Sequence, residues 1–354
     1  VIGKSVGRGM LPSGNISSSY NSVTSEELAS YLEMYLEGLD KTDYFSGSVL
    51  VAKGDSILFE KTYGQMDKQR SNRIDANTTF NIASTTKTFT SIAIAQLAEQ
   101  GKLDYTDPIS KFIPEYPKDI ADQVTIHHLL THTSGIELDD YKPFNIENDN
   151  AKNLTEALHV QIKHIDSLNN GRRKNFKVLN KYDYSNEEYV LLGVIIERAS
   201  GMSYGAYIEQ AIFTPLQMHN SFADIQKLAK HQNKAIGYTY KDTDINYVDG
   251  IRRVYDLADK YLAPDGGIYA TPRDLYTYLK AINNHTLVSK ESQELLFNKH
   301  VKFFDVPQES RYYGYGFAIN RIGKALTIGH GGVRPGVGSQ MEYYPNEDYY
   351  VIVL

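Results

Sequence analysis

An α+β fold is predicted: an antiparallel β-sheet formed from both chain ends, flanked by helices, with a mostly helical region inserted. Strand-like apolar runs stand near the start, in "FSGSVLVAKGDSILFEKTYG". They return at the end, in "YGYGFAI", "KALTIGHGG", "GSQMEYYP" and "DYYVIVL". From about residue 104 to 262 the pattern is mostly helices joined by polar loops. Strands at both ends and helices between them point to one sheet that the chain leaves and re-enters.

The elements follow in order. Residues 1–23 are Gly/Ser-rich without an apolar h-region, so they read as a flexible leader rather than a signal peptide. The chain starts at Val1 rather than Met and stops in what looks like an unfinished strand at Leu354. Further sequence is therefore expected on both sides. Thr24 to Glu27 forms a capping box, followed by Leu28, Leu32, Tyr35 and Leu39 at helical spacing. Gly54-Asp55 between two apolar runs is a hairpin signal. A helix from Ser84 buries Phe89, Ile92, Ala93, Gln96 and Leu97 and ends at Gly101. "VTIHHLLTHTSG" and "SNEEYVLLGVIIERASG" read as helices each stopped by glycine, and residues 241–260 as a long loop. The expected organisation is a sheet unit from 24–75 plus 263–354 and a helical region over 76–262, with the functional site at their junction.

Composition narrows the function classes. The 354 residues are 41% apolar and 23% charged, ample for a large core and one or two domains. A net charge of −6 argues against nucleic acid and against a polybasic membrane patch. The absence of cysteine excludes disulfides, thiolate catalysis and Cys-ligated metal centres. No run approaches the roughly 18 apolar residues of a membrane helix. With no phosphate-cradling glycine loop, no nucleotide cofactor is implied. Nothing in the sequence sets an oligomeric state.

Three short motifs carry chemistry. In "FNIASTTKTFTSIAIAQLAEQGKL", Ser84 is followed three residues later by Lys87, where a capping box would ask for Glu or Gln. A cation there is mildly unfavourable beside the helix dipole. On a helix the two side chains share a face, so a neutral lysine would be in reach of the hydroxyl and could activate it. Neutrality near pH 7 requires the amine's pKa to fall about three units, which demands burial or a second cation. "KYDYSNEEYVLLG" offers Tyr184 as a proton shuttle and Asn186 to orient a substrate amide or the lysine. "TIGHGGVRPGVGS" places His330, Gly331 and Gly332 after a strand-like run, where glycines let a substrate backbone approach. Each motif alone also fits a plain structural role: a helix start with an exposed lysine, a capped loop, a glycine-rich turn.

The order Ser-x-x-Lys, Tyr-x-Asn, His-x-Gly resembles the serine β-lactamase and penicillin-binding-protein superfamily, in its class C β-lactamase and D-alanyl-D-alanine carboxypeptidase branch. "TIHHLLTHTSGI", "MSYGAYIEQAIFTPLQM" and "PDGGIYATPRDL" are similar to that branch as well, so the resemblance spans about residues 25–354. It implies a β-lactamase/transpeptidase-like fold and a serine hydrolase working through an acyl-enzyme, with no cofactor and no metal. Ser84 would be the nucleophile, with Lys87 and Tyr184 managing protons. Asn186 would bind a substrate amide, and the backbone N–H groups of Ser84 and Val333 would form the oxyanion hole. His330 and Gly331 stand where relatives typically carry Lys and Thr to hold a substrate carboxylate, a departure that disfavours efficient β-lactam turnover. Arg334 would restore a carboxylate partner if it pointed inward. The implied substrate is a small D-amino-acid or peptidoglycan-type peptide, with an ester or a weakly turned-over β-lactam as alternatives, and a non-catalytic binding member as the opposing class. Peptidoglycan chemistry implies a periplasmic or extracytoplasmic setting.

Other candidates read as structural. Gly201-x-Ser203-x-Gly205 has nucleophile-elbow spacing but follows a helix, so Ser203 is expected to cap the next one. His128 and His132, four apart, lack the Glu of a metalloprotease helix and are expected to pack and cap. Asp107 is expected to cap the segment opened by Pro108 rather than to pair catalytically with Asp104. Tyr344-Pro345-Asn346 reads as a turn.

Overall fold

The computed structural model describes residues 24–42, 44–67, 72–136, 151–167, 176–240, 252–255, 262–334 and 336–354. The leader over 1–23 and most of 241–260 lie outside the described residues. Helix α1 (Ser25–Lys41) starts at the expected capping box, with the Thr24 side chain accepting from the Glu27 N–H and Glu27 answering the Thr24 N–H. Its inward face is Ala29, Leu32, Leu36 and Leu39, while Tyr35 points outward, one position off the expected stripe. Strands β1 (Gly47–Lys53) and β2 (Ser56–Tyr63) follow as a hairpin whose turn residue Gly54 has φ +53°, a conformation that costs glycine little.

The chain then crosses to the helical side. Helix α2 (Thr86–Glu99) is preceded by a 3₁₀ turn over Ala83–Thr85, so Ser84 stands in the turn rather than in the helix itself. From Thr86 to Leu97 every residue of α2 is buried, which makes it the central post of the molecule rather than a one-sided helix. Of the next three helices, α3 (Ile126–Thr131), α4 (Leu154–Ser167) and α5 (Asn186–Ser200), α5 packs on α2 and in turn carries α3 and α4. They are followed by α6 (Pro272–Asn283), which starts at Thr271 with proline in its first turn, and α7 (Lys290–Leu296). Phe89 of α2 stacks on Tyr278 of α6 at 3.9 Å between ring centroids. Each such fully buried aromatic contributes about 1.5–3 kcal/mol relative to exposure.

The last third of the described chain completes the sheet with β3 (Val301–Val306), β4 (Glu309–Tyr313), β5 (Ala318–Ile322), β6 (Ala325–Arg334), β7 (Val337–Tyr344) and β8 (Tyr349–Val353). The order is β2-β1-β8-β7-β6-β5-β4-β3, antiparallel throughout, so the first and last strands of the described chain lie side by side. The α+β architecture is therefore as the sequence predicts. β6 outruns β5, whose pairing stops at Gly329, while β7 accompanies β6 to Arg334. This overhang positions the site.

Three further elements differ from expectation. Arg252–Tyr255 pairs with Gly237–Tyr240, although the polar, poorly periodic sequence reads as loop; a partner strand supplies the ladder that local pattern does not announce. Helix α3 is stopped by His132 in the left-handed region (φ 55°), with Gly135 only later. Asp107 does not cap the Ile109–Lys111 turn; its carboxylate accepts from the Asp104 N–H and from Lys111.

Candidate active site

The Ser84 turn is built under strain and bolted down. Ala83 has φ 45°, costly for a side chain with a Cβ, and its N–H donates to Asn81 Oδ1 at 2.9 Å. Asn81 Nδ2 in turn donates to the Gly266 carbonyl. From the sheet, Ser339 Oγ donates to the Ile82 carbonyl at 2.6 Å, and Thr85 Oγ donates to the His330 carbonyl at 3.1 Å. Gly332 lets the strand come this close: a Cβ there would lie 2.7 Å from Ser84 N and 2.4 Å from the Ile82 oxygen. The β6 overhang and the nucleophile candidate are thus fixed against each other.

Lys87 is fully buried in the first turn of α2, three residues after Ser84. Its Nζ donates to Asn186 Oδ1 at 2.7 Å, to the Asp265 carbonyl at 2.8 Å and to Ser84 Oγ at 3.4 Å. The amine also lies 4.9 Å from the Tyr184 ring centroid. Burial brings its pKa down to about 8; nearby Asp265 and Glu187 oppose this, and Arg334 adds to it. Desolvation thus supplies most of the fall that the Ser-x-x-Lys pattern requires, leaving a neutral minority at pH 7.

Tyr184 is 40% exposed, with its hydroxyl in hydrogen-bond reach of Ser84. Burial pushes its pKa above the phenol range, opposed by a hydrogen bond with Ser84. The phenol therefore keeps its proton at neutral pH and is suited to donating rather than to acting as a phenolate base. Asn186 opens α5 and has its carbonyl oxygen committed to Lys87, so in this structure it orients the lysine.

The third motif divides. The His330 ring is buried, with Nε2 2.9 Å from the Tyr313 hydroxyl and Nδ1 2.6 Å from the Gly331 carbonyl. Burial lowers its pKa to about 4, so the ring is neutral: Nδ1–H donates to the carbonyl and Nε2 accepts from Tyr313. Neither ring nitrogen is left to hold a carboxylate. Val333 is exposed at 59% on the overhang, and Arg334 reaches inward to donate to the Gly266 carbonyl at 3.3 Å.

The structure thus brings together Ser84, Lys87, Tyr184, Asn186, the backbone of 330–333 and Arg334. Ser203 caps the helix at Tyr204–Ile208, and His128 answers Thr125 in a capping box, so neither reaches this cleft. Among the described residues no cluster of His, Asp and Glu is arranged to hold a metal ion. Sequence reasoning missed the Asp265 carbonyl, the Ser339–Ile82 and Thr85–His330 bonds and the pair His132–Glu188 beside Tyr184. In that pair His132 Nδ1 lies 2.5 Å from Glu188 Oε2, and Ser134 donates to the other carboxyl oxygen from both its hydroxyl and its N–H. "PDGG" and "HTSG" were the only local signals for these residues.

The chain belongs to the Beta-lactamase family, whose model matches residues 33–354. It is 32% identical over 321 residues to a penicillin-binding protein of Bacillus subtilis (strain 168), covering 89% of this chain and 68% of that relative. Among solved structures it is similar to a penicillin-binding protein from Bacillus halodurans, at 29% identity and TM-score 0.75, covering 90% of this chain and 94% of that one. It is also similar to an octameric penicillin-binding protein homologue from Pyrococcus abyssi, at 27% identity and TM-score 0.79, covering 92% and 73%. The chain spans 62% of a second Bacillus subtilis relative, PbpX. Family membership is consistent with serine hydrolase chemistry. Among the described residues no helix is long and apolar enough to cross a membrane.

Proposed function

We propose that this chain is a serine hydrolase working through an acyl-enzyme on Ser84, acting on peptides or amides of the D-amino-acid or peptidoglycan type. One observation carries the reading: a buried lysine with three oxygen acceptors, the serine being the most distant. A neutral amine has two N–H groups. Spent on Asn186 and the Asp265 carbonyl, they turn the lone pair toward Ser84 Oγ, ready to take its proton as the substrate carbonyl is attacked. With a pKa of about 8, roughly a tenth of the lysine is neutral at pH 7.

In this reading the protonated Tyr184 passes a proton to the leaving amine and is reprotonated from the Lys87 ammonium, and water then releases the acyl group, returning a proton to Ser84. The N–H groups of Ser84 and Val333 receive the oxyanion, as the family resemblance implies. The substrate backbone lies along the β6 overhang, and Arg334 offers a partner for a carboxylate. No cofactor or metal is drawn into any step. The committed, neutral His330 ring and the glycine at 331 withhold two donors from an anionic β-lactam. That same observation supports carboxylesterase activity as a second reading, and weak β-lactam turnover as a side reaction. Chemistry on peptidoglycan would put the protein outside the cytoplasm.

The test combines intact-mass detection of a fluorophosphonate or penicillin adduct with turnover of a D-Ala-D-Ala peptide, a D-amino-acid amide, a p-nitrophenyl ester and nitrocefin. Expected are an adduct on wild type, its loss in Ser84→Ala, and kcat/KM on the D-peptide or amide above that on nitrocefin. No adduct on folded wild-type protein would support a non-catalytic binding member. Nitrocefin turnover rivalling the ester rate would overturn the substrate assignment.

A further inference from the structure

His132 and Glu188 take no part in the reaction drawn above, yet their side chains are buried to 0% and 1% exposure directly beneath it. His132 brackets Tyr184 along the chain: its carbonyl accepts the Asp183 N–H at 2.7 Å, and its Nδ1 accepts the Ser185 N–H at 3.3 Å. Its ring lies 4.4 Å from the Tyr184 ring, centroid to centroid. The left-handed backbone at His132 aims carbonyl and ring at this segment together. We propose that His132 is the positioning residue of Tyr184, kept as a neutral imidazole by a protonated Glu188 carboxyl. This rests on the reading of Tyr184 as the proton donor to the leaving group.

The protonation state follows from hydrogen-bond direction. The Ser185 N–H can only donate, so its approach to Nδ1 at 3.3 Å favours a lone pair there, shared with the closer Glu188 oxygen. The short contact from Nδ1 to Glu188 Oε2 then needs its hydrogen from the carboxyl, and Ser134 donates only to the other oxygen. The remaining proton is on Nε2, which is buried without a hydrogen-bond partner among the described residues, in a ring flanked by those of Tyr182, Tyr184, Tyr189 and Tyr313. The charged and titratable groups around the pair agree. Burial, then Lys87 and His330, hold the imidazole well below its usual range. Burial, with Glu187 and Asp183 adding to it, holds Glu188 well above the carboxylate range against the Ser134 bonds. A neutral pair also keeps a second cation away from Lys87.

The inference separates leaving groups. p-Nitrophenolate departs without a proton, whereas an amide nitrogen needs one, so a misplaced Tyr184 harms amides selectively. In His132→Leu, kcat on a D-amino-acid amide is expected to fall about 100-fold, with KM within about threefold and p-nitrophenyl ester turnover within about fivefold. His132→Asn retains an acceptor and tolerates the left-handed backbone, and is expected to return the amide rate to within about tenfold. Glu188→Gln can donate to Nδ1 and accept from Ser134, so both rates stay within about twofold, while Glu188→Leu follows His132→Leu. If His132→Leu does not fold, the two Glu188 variants and ¹⁵N NMR of the histidines decide. The expected spectrum has an unprotonated Nδ1 and a protonated Nε2 at His132 from about pH 5 to 8. Equal losses on ester and amide with Ser84 still labelled, or a Glu188→Gln loss matching His132→Leu, would overturn the inference and leave the acyl-enzyme reading standing. An imidazolium at His132 would do the same. Absence of any Ser84 adduct on wild type would overturn both.

Discussion

Two lysines show how differently this chain treats the same side chain. Lys61 on β2 is exposed and pairs with Glu33 of α1 at 2.9 Å, its pKa raised by the hydrogen bond and charge of that partner. Lys87 is sealed among Asn186, the Asp265 carbonyl and tyrosine rings, its pKa lowered chiefly by burial. Around Lys61 the local rules hold: α1 has its capping box, the β1–β2 turn has its glycine, and opposite charges meet at the surface. Around Lys87 they are broken. A cation lies near a helix start, Ala83 and His132 hold positive φ, and Gly332 is crowded against backbone. The corner is built for stability, and the junction spends stability on geometry.

The largest break in that contrast comes from Lys87→Met. Loss of the base should lower acylation by about 10²–10⁴-fold, read by stopped-flow labelling. Thermal stability at pH 7 should hold or rise, because the substitution removes a buried cation. The sign follows from linkage. The unfolded amine titrates near 10.5 and the folded one near 8, so between these values the unfolded chain binds more protons and wild-type stability rises with pH. Below 8 the destabilisation is fully present. The advantage of Lys87→Met in denaturant melts should therefore be greatest at pH 7 and shrink toward pH 10.5.

Gly332→Ala comes next. Its Cβ would stand 2.4–2.7 Å from the Ile82 oxygen, Ser339 Oγ and Ser84 N. Separating strand and turn should cost about 1–3 kcal/mol in chemical denaturation and lower acylation about 100-fold. The smallest effect belongs to the conventional corner. Thr24→Ala removes the α1 cap and should cost about 1 kcal/mol in the same melts, with labelling of Ser84 unchanged.

The same contrast explains what was legible in the sequence. Capping box, hairpin glycine and alternating strands are local signals, and they led to the corner and to a sheet built from both ends. The Ser84–Lys87 pair was legible because it violated a local rule. Strands β3 and β4 were not foreseen, since "VKFFDV" and "ESRYY" carry charge and depend on their neighbours for the ladder. Helix α2 gave a one-sided expectation because its far side is covered by the inserted helices rather than by solvent. The Asp265 carbonyl is a backbone acceptor and has no sequence signature. His132 and Glu188 meet across 56 residues, a separation that no local pattern spans.

The most direct measurement of the central claim is the rate of Ser84 labelling by an uncharged acylating ester between pH 5.5 and 9.5, in wild type and Lys87→Met. A desolvated lysine acting as base predicts a rate that climbs with pH through a midpoint of about 8 and a variant whose slow rate no longer shows that midpoint. A wild-type rate flat across this interval, or an unchanged midpoint in the variant, would contradict it.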